Sequence, residues 1–223
     1  MSCWRPYVLA CALAGCAAHD TSRGPAVPNI VLETQDGRRV HLYDDLVKGR
    51  VVTINFRFTT CRKACPGTTA NLRKVQQALG DRARDVTMLS ISLDPEHDTP
   101  ATLAEYARVY DVGPGWYLLT GRREQIEALR RHLGVYDPNP TVDADRTRHA
   151  GVVVLGNEPI DRWSAVSGLA EPRQIVEAVE RVMLAPGDWK PETWAGGRPQ
   201  PSQCADDVPI GSTASARDSL LAH

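Results

Sequence analysis

The sequence predicts an α/β fold in which helices flank a mixed central sheet, with a β-hairpin at the N-terminal end of the domain. Three observations predict it. Short apolar stretches of strand length alternate with helical stretches of about 10 to 15 residues. Asp36-Gly37, a favoured hairpin turn, separates two strand-like segments near the start. About 200 residues remain after a signal-like N-terminus, which is enough for one domain and its tails.

Seven segments have the length and apolar pattern of strands. They are residues 29–34, 39–42, 51–58, 86–93, 116–119, 151–155 and 160–165. The first two flank the Asp36-Gly37 turn, and the last two form a hairpin-like pair across Gly156-Asn157. Because segments 51–58 and 86–93 are apolar almost throughout, we expect both to be buried strands.

Four segments have helical patterns. They are residues 66–79, 98–110, 122–133 and 171–183. The second opens with Thr99-Pro100, which predicts Thr99 as the N-cap and Pro100 as the first helical residue. The third carries Ile126, Leu129 and Leu133 at helical spacing. The alternation of these helices with the strands is what favours a mixed sheet with helical faces.

The N-terminal segment has the pattern of a secretory signal. Residues 1–15 contain one charge, Arg5, then an apolar core and a small-residue end, and they are too short to span a bilayer as a mature helix. Leu13-Ala14-Gly15-Cys16 also resembles the bacterial lipobox, in which cleavage precedes a cysteine that is then lipidated. We therefore expect a protein tethered through Cys16 to a bacterial membrane, with its domain in the periplasm. An ordinary signal peptide with an incidental cysteine is the alternative.

The rest of the chain divides into three parts. Residues 16–28 are expected to be a linker, residues 29–184 the domain, and residues 185–223 a flexible tail rich in Gly, Pro and Ser. No second stretch approaches the roughly 20 apolar residues of a membrane-spanning helix. The net charge is −1 and no basic block stands out, so nucleic acid is not an expected partner.

A Cys-x-x-x-Cys-Pro run follows strand 51–58 directly and is the main candidate site. It consists of Cys61 and Cys65, then Pro66. Two cysteines at i and i+4 on a helix share a face, about 6 Å apart along the axis, so they could close a disulfide or bind a soft metal ion. Pro66 fits the first turn of a helix. A strand, paired thiols at a helix start and a proline together predict a thioredoxin-like active site with one extra residue between the cysteines.

The remaining cysteines support this reading of the pair. Cys3 and Cys11 would be removed with the signal, and a disulfide framework in an oxidising periplasm would need more cysteines than are left. Cys204 in the tail is either a free thiol or a third ligand or resolving cysteine. A helix N-terminus with Arg62 and Lys63 beside the thiols should stabilise thiolates, although these two residues could equally be a solvated helix end.

Three motifs in order resemble the Sco/SenC family, whose members are thioredoxin-fold copper-binding factors for assembly of cytochrome c oxidase. They are the Cys61–Cys65 run, the segment 92–100 with Asp94-Pro95, and His149 just before strand 151–155, within a resemblance over residues 29–183. The resemblance implies a copper site made by Cys61, Cys65 and His149. It also implies that copper is delivered to the dinuclear copper centre of the oxidase's second subunit, or that the thiols of that centre are reduced.

The ligand types are compatible with this implication. Thiolates favour Cu(I), and imidazole suits either oxidation state, so two thiolates and one imidazole can hold Cu(I), Cu(II) or both. Zinc would usually require a fourth ligand in a closed site. Asp94 follows strand 86–93 at the sheet edge where ligands usually bind, so it could orient a ligand, or it could simply form an Asp-Pro turn.

Two departures from the family pattern leave a second function open. Arg62 stands where many members have proline, and Arg148 stands where many have aspartate. Both add positive charge, which favours thiolates and anionic partners and disfavours a bound cation. The alternative to a metallochaperone is therefore a thiol–disulfide oxidoreductase that uses Cys61 and Cys65. A peroxiredoxin is disfavoured, because Phe58 and not threonine precedes Cys61 by three residues.

Overall fold

The computed structural model describes residues 27–145 and 151–184, and these form one seven-stranded mixed sheet with helices on both faces. The strands are β1 Val31–Thr34, β2 Arg39–His41, β3 Val51–Arg57, β4 Val86–Ser92, β5 Trp116–Gly121, β6 Val152–Asn157 and β7 Arg162–Ser167. The helices are α1 Ala64–Leu79, α2 Pro100–Val109, α3 Arg123–His132, α4 Pro140–Asp143 and α5 Pro172–Met183. Leu42–Val47 is a π-helical turn, and Gly80–Asp85 and Glu158–Ile160 are 3₁₀ turns.

The strand order is β2-β1-β5-β4-β3-β6-β7. The three central strands β5, β4 and β3 are parallel, and the others pair antiparallel. Every residue of β4 and all but the first of β3 are buried, because helices cover both faces of the sheet at its centre. The prediction of two buried strands is confirmed, and so is the hairpin of β1 and β2.

A hydrophobic core lies on each face of the sheet. On one face the core is built by α1, α2 and α5, through residues such as Leu72, Leu103 and Val179. On the other face Ile126 and Leu129 of α3 pack with the apolar side of the Leu42–Val47 turn. The carboxyl ends of β3 and β4 lie side by side in the parallel sheet, and the cysteine motif comes directly after the end of β3.

The predicted start of α2 is confirmed in detail. Thr99 is the N-cap, and its Oγ1 accepts a hydrogen bond of 3.2 Å from the backbone N–H of Thr102. Pro100 occupies the first helical position, where no N–H is needed.

The turn predicted at Gly156-Asn157 is wrong. Both residues belong to β6, and the reversal is made by Glu158–Ile160 and Asp161, whose φ of 46° is left-handed. Gly156 instead lies opposite Trp163 of β7, where a Cβ atom would come within 2.1 Å of the indole ring. The glycine therefore makes room for an aromatic side chain, a cross-strand packing reason that the local sequence does not reveal.

Within the described ranges, no helix has the length and apolar character to cross a membrane.

Candidate metal centre

The two cysteines of the motif lie at the carboxyl end of β3, in the connection to α1. Helix α1 begins at Ala64, so Cys65 is its second residue and Cys61 lies in the preceding loop. The expectation that both cysteines occupy one helix is therefore wrong. Their thiols are nevertheless adjacent, because the Cys65 thiol hydrogen-bonds with that of Cys61, and both cysteines are free. Pro66 is in the first helical turn, as predicted.

Both thiols are shielded from water. Cys61 is 5% exposed and Cys65 is 1% exposed, and they pack with Phe58 and Ala64 in a small apolar cluster. Arg62 and Lys63, which lie between them in sequence, point outward and are exposed. The result is a pair of sulfurs beneath a positively charged rim.

Asp98 holds the loop that carries Cys61. Its side chain is fully buried and accepts hydrogen bonds from the backbone N–H of Thr59 at 3.1 Å and from the Thr59 hydroxyl. It also accepts one from the hydroxyl of Ser92, the last residue of β4, at 2.6 Å. Asp98 thus joins the cysteine loop to the neighbouring strand and to the start of α2. Nothing in the local sequence connects Asp98 to Thr59, because the two residues are 39 positions apart.

Residues of β3, α1 and α2 surround Cys65. The Thr69 hydroxyl donates to the Cys65 carbonyl at 2.9 Å and is also 2.9 Å from the Tyr106 hydroxyl. The Arg57 guanidinium lies over the Tyr106 ring, with Cζ 3.5 Å from the ring centroid. The backbone amide of Phe58 lies near the Cys65 sulfur and acts to lower its pKa. Residues from β3, α1 and α2 therefore meet behind this thiol.

The environment of Cys65 favours the neutral thiol. Burial raises the pKa of Cys65 to about 12, and the hydrogen bond with Cys61 acts in the same direction. The Phe58 amide and the Arg57 charge act to lower this pKa but are outweighed. The expectation that the helix N-terminus and the neighbouring basic residues stabilise a thiolate is therefore wrong for Cys65. Loss of hydration is the larger effect, since Arg62 and Lys63 face the solvent.

Asp94 follows β4 and forms part of the turn that leads to α2. Its backbone carbonyl accepts from the N–H of His97 at 3.1 Å and of Asp98 at 2.9 Å. One carboxylate oxygen is 2.9 Å from His97 Nδ1, and the other is 3.7 Å from Arg123. The turn-forming role is therefore observed, and a ligand-orienting role for Asp94 stays a prediction.

Three residues named from the sequence lie outside the described ranges: His149, Cys16 and Cys204. Within the described ranges, no three Cys, His, Asp or Glu side chains are placed to hold a metal ion. Strand β6, which follows residues 146–150, starts beside the carboxyl end of β3, where the cysteine loop begins. Val153 of β6 pairs with Asn55 of β3, so β6 begins where β3 ends and the cysteine loop starts.

A buried ion pair fixes the chain that leads into residues 146–150. Arg130 of α3 and Asp143 of α4 are 3% and 7% exposed and form two parallel hydrogen bonds of 2.7 and 2.9 Å. Asp143 also accepts from the Asp137 N–H at 2.9 Å, and Arg130 donates to the Val135 carbonyl at 2.8 Å. The Asp143 hydrogen bond raises the pKa of Arg130. This pair is not predictable from the sequence, because burial of the two charges depends on how α3 and α4 pack.

Comparison with known proteins identifies similar sequences. The family model described as SCO1/SenC matches residues 21–184. The SCO1 protein homolog of Bacillus subtilis is 34% identical over 116 residues, which are 52% of this chain. The match covers 58% of that relative, which is less than two thirds of its length.

Solved structures show the same architecture. ScoI of Bradyrhizobium japonicum, determined with copper bound, has a TM-score of 0.55 and 28% identity, and the match covers 71% of this chain and 98% of that one. BsSco, a member of the Sco family of cytochrome c oxidase assembly proteins in which a disulfide switch was identified, has a TM-score of 0.57 and 26% identity. That match covers 71% of this chain and 95% of BsSco. The predicted thioredoxin-like α/β fold is confirmed.

Proposed function

This chain belongs to the SCO1/SenC family, and on that premise we propose that it binds copper and serves in the assembly of cytochrome c oxidase. The observation that carries the proposal is the pair of free, hydrogen-bonded thiols of Cys61 and Cys65, buried at the carboxyl end of β3. The imidazole of His149 is the third ligand in this proposal, as the family resemblance implies. ScoI of Bradyrhizobium japonicum, a similar structure, was determined with copper bound.

The chemistry of the two thiols supports copper as the cargo. Two adjacent sulfurs are soft ligands and select a soft ion such as Cu(I). Thiols must lose their protons to bind a metal, so copper binding here would release protons and depend on pH. Because the Cys65 thiol is neutral and shielded near neutral pH, it is a poor nucleophile, and a metal ion has to displace its proton in order to bind.

Transfer of the cargo would proceed by ligand exchange. An incoming pair of cysteines on the copper-accepting subunit of a terminal oxidase would replace Cys61 and Cys65 one sulfur at a time. The exposed side chains of Arg62 and Lys63 at the rim would favour a partner with an acidic surface near its own thiols.

A thiol–disulfide oxidoreductase is the second candidate function. Cys61 and Cys65 pack in one small cluster, and this candidate requires them to form a disulfide with loss of two electrons and two protons to a partner disulfide. The disulfide switch identified in BsSco also favours this candidate. The raised pKa of Cys65 counts against it as the attacking thiol at neutral pH, so Cys61 would have to attack.

An anaerobic copper titration of the reduced protein tests the proposal. We expect one copper ion per chain in the wild type, and binding weaker by at least about tenfold in Cys61→Ser, Cys65→Ser and His149→Ala. His41→Ala is the matched control, because His41 is exposed on the edge strand β2 and should leave binding unchanged. Copper binding that is indifferent to His149 would reject the three-ligand site. Absence of stoichiometric binding, together with reduction of a disulfide substrate, would favour the oxidoreductase.

We also propose that Cys16 carries a lipid and tethers the domain to the periplasmic face of a bacterial membrane. Labelling of expressing cells with an alkyne fatty acid should mark the wild type and the Cys11→Ser control, but not Cys16→Ser. Labelling that persists in Cys16→Ser would reject this tether.

A further inference from the structure

A cavity of about 670 Å³ lies at the carboxyl end of β5, beside the starts of α2 and α3. Its polar lining residues are Glu33, Arg39, Thr99, Thr120, Arg122 and Gln125. Small-ligand sites in proteins typically measure about 300 to 1,000 Å³, and in α/β sheets they lie at the carboxyl ends of the parallel strands. Neither cysteine of the Cys-x-x-x-Cys motif lines this cavity, so it is separate from the proposed copper site.

Three polar residues form a row across the sheet at the base of the cavity. Glu33 of β1 is the register partner of Arg39 on β2 and of Thr120 on β5. Register partners on neighbouring strands project from the same face, with Cβ atoms about 4.5 to 5.5 Å apart. Thr120 follows Leu118 by two residues, and Leu118 belongs to the core that α2 covers. The row therefore faces α2, whose first residues form one wall of the cavity.

Several of these polar groups lack partners within the fold. Thr120 is 6% exposed, and its Oγ1 has no hydrogen-bond partner among the described residues. The same is true of Oε1 of the part-buried Gln125. Glu33 and Arg39 lie opposite each other, yet no ion pair joins either side chain to another described residue. Buried polar atoms without partners are costly, so a ligand that supplies the missing hydrogen bonds is favoured.

The start of α3 adds hydrogen-bond donors to the cavity. Its N-cap is Arg122, whose side chain makes no capping hydrogen bond, so the first-turn N–H groups receive no acceptor from the cap. Arg39, Arg122 and this helix end can only donate hydrogen bonds, whereas Glu33 and Gln125 Oε1 can only accept them. A matching ligand therefore needs both an acceptor group, preferably an anion, and N–H donors.

The charges around the cavity favour a ligand that carries both signs. Arg39 and Arg122 contribute two positive charges and Glu33 one negative charge. Glu124 lies 3.7 Å from Arg122 at the surface, so these four charges cancel. Beside them is an ion-pair group of Arg123, Glu96 and Asp94, which adds one net negative charge. A simple anion would meet no net positive charge here, but a zwitterion can pair with the arginines and with Glu33 at once.

We infer that this cavity binds a small zwitterion with a free ammonium group and a free carboxylate, namely an amino acid or a dipeptide. The arginines and the first-turn N–H groups of α3 bind the carboxylate. The Glu33 carboxylate and Gln125 Oε1 bind the ammonium group. The Thr120 hydroxyl, which can donate or accept, makes a further hydrogen bond to the ligand. This site functions independently of copper binding.

An amide NMR titration of the isotope-labelled, reduced apoprotein tests the inference. The ligands are alanyl-alanine, its N-acetyl form, which lacks the ammonium group, and its C-terminal amide, which lacks the carboxylate. We expect a dissociation constant of about 1 mM or lower for alanyl-alanine, and binding weaker by about tenfold for each of the other two. The amide signals that shift should be those of the cavity lining. L-alanine, titrated in parallel, distinguishes an amino acid from a dipeptide as the preferred size.

Three variants separate ligand binding from structure. Thr120→Val removes a hydroxyl that has no partner in the described fold, so the melting temperature of the free protein should not fall, while alanyl-alanine should bind roughly 2- to 10-fold more weakly. Glu33→Gln should weaken binding of alanyl-alanine but not of its N-acetyl form, since only the ammonium group pairs with Glu33. Arg50→Gln is the matched control, because Arg50 is exposed just before β3 at the opposite edge of the sheet, and it should leave binding unchanged.

The contrary outcomes are equally defined. Equal affinity for the three dipeptide forms, or no binding of any ligand below about 10 mM, would overturn the inference. A lower melting temperature of Thr120→Val with unchanged ligand binding would show that the hydroxyl has only a structural role, and would also overturn it. None of these outcomes bears on Cys61 and Cys65, which the copper titration tests separately.

Discussion

Replacing Asp98 should loosen the cysteine loop more than any other single change outside the thiols. The Asp98 side chain is fully buried and accepts from two donors of Thr59 and from the Ser92 hydroxyl. In Asp98→Ala these three donors lose their acceptor, and the loop before Cys61 loses its connection to the end of β4. Asp98→Asn keeps the shape and one carbonyl oxygen, so it should have a smaller effect.

The expected magnitude follows from those contacts. A hydrogen bond to a charged group contributes about 1.5 to 3 kcal/mol, so losing three such bonds would cost about 4.5 to 9 kcal/mol if water replaced none of them. Thr59 is only partly buried, and water can therefore replace part of its interaction. We expect Asp98→Ala to lower the free energy of unfolding by about 3 to 5 kcal/mol, and Asp98→Asn by about 1 to 2 kcal/mol.

The assay is urea unfolding of the reduced apoprotein, followed by the copper titration. Asp81→Ala is the matched control, because Asp81 forms an ion pair with Arg84 at the surface and its side chain is 95% exposed. Its loss should cost about 0 to 1 kcal/mol. Copper should bind about tenfold more weakly to Asp98→Ala, since the loop no longer holds Cys61 in place. A change in unfolding free energy no larger than that of Asp81→Ala would refute this account of the loop.

Three further predictions test other parts of the structure. Asp143→Ala should destabilise the apoprotein by about 2 to 4 kcal/mol in urea unfolding, because the buried Arg130 loses both hydrogen bonds to Asp143 and keeps the part-buried Glu127 as its ion-pair partner, and a loss below about 1 kcal/mol would contradict this. Cys65 of the reduced protein should resist iodoacetamide near pH 7 and react faster as the pH rises toward its pKa of about 12, and rapid labelling of folded protein at pH 7 would contradict the raised pKa. Because this pKa is raised from 9.0, the Cys65 thiol ionises more readily in the unfolded chain, so its contribution to the free energy of unfolding should be fully present below pH 9 and be lost between pH 9 and 12. Gly156→Ala should cost about 1 to 3 kcal/mol, because its methyl group meets the Trp163 ring, whereas Gly151→Ala, with open space around it, should cost much less.

Local patterns predicted the elements whose causes are local. The apolar runs of β3 and β4, the Asp36-Gly37 turn and the Thr99 cap depend on neighbouring residues, and all were found as expected. The predicted turn at Gly156 was wrong because the cause of this glycine is not local. Its glycine is required by Trp163 across the hairpin, and a local pattern does not distinguish that need from a turn.

The cysteine site shows the same division. The two thiols are four residues apart, so their proximity was predictable even though Cys61 lies in the loop before α1. The pKa of Cys65 was not predictable, because it depends on how completely the fold removes water from the sulfur. The helix N-terminus and the adjacent Arg62 and Lys63 indicated thiolates, whereas burial favours the neutral thiol at Cys65.

The sequence by itself determined the α/β class, the family resemblance and the pair of cysteines proposed as ligands, because periodicity, turn residues and a short motif are encoded within a few residues of one another. Only the tertiary structure decided which polar groups surround those sulfurs. Asp98 is 39 residues from Thr59, and Arg57 meets Tyr106 only when α2 packs beside β3. Such contacts form only when the helices pack on the sheet. The electrostatic energy of each charge then depends on its burial, which the sequence does not reveal.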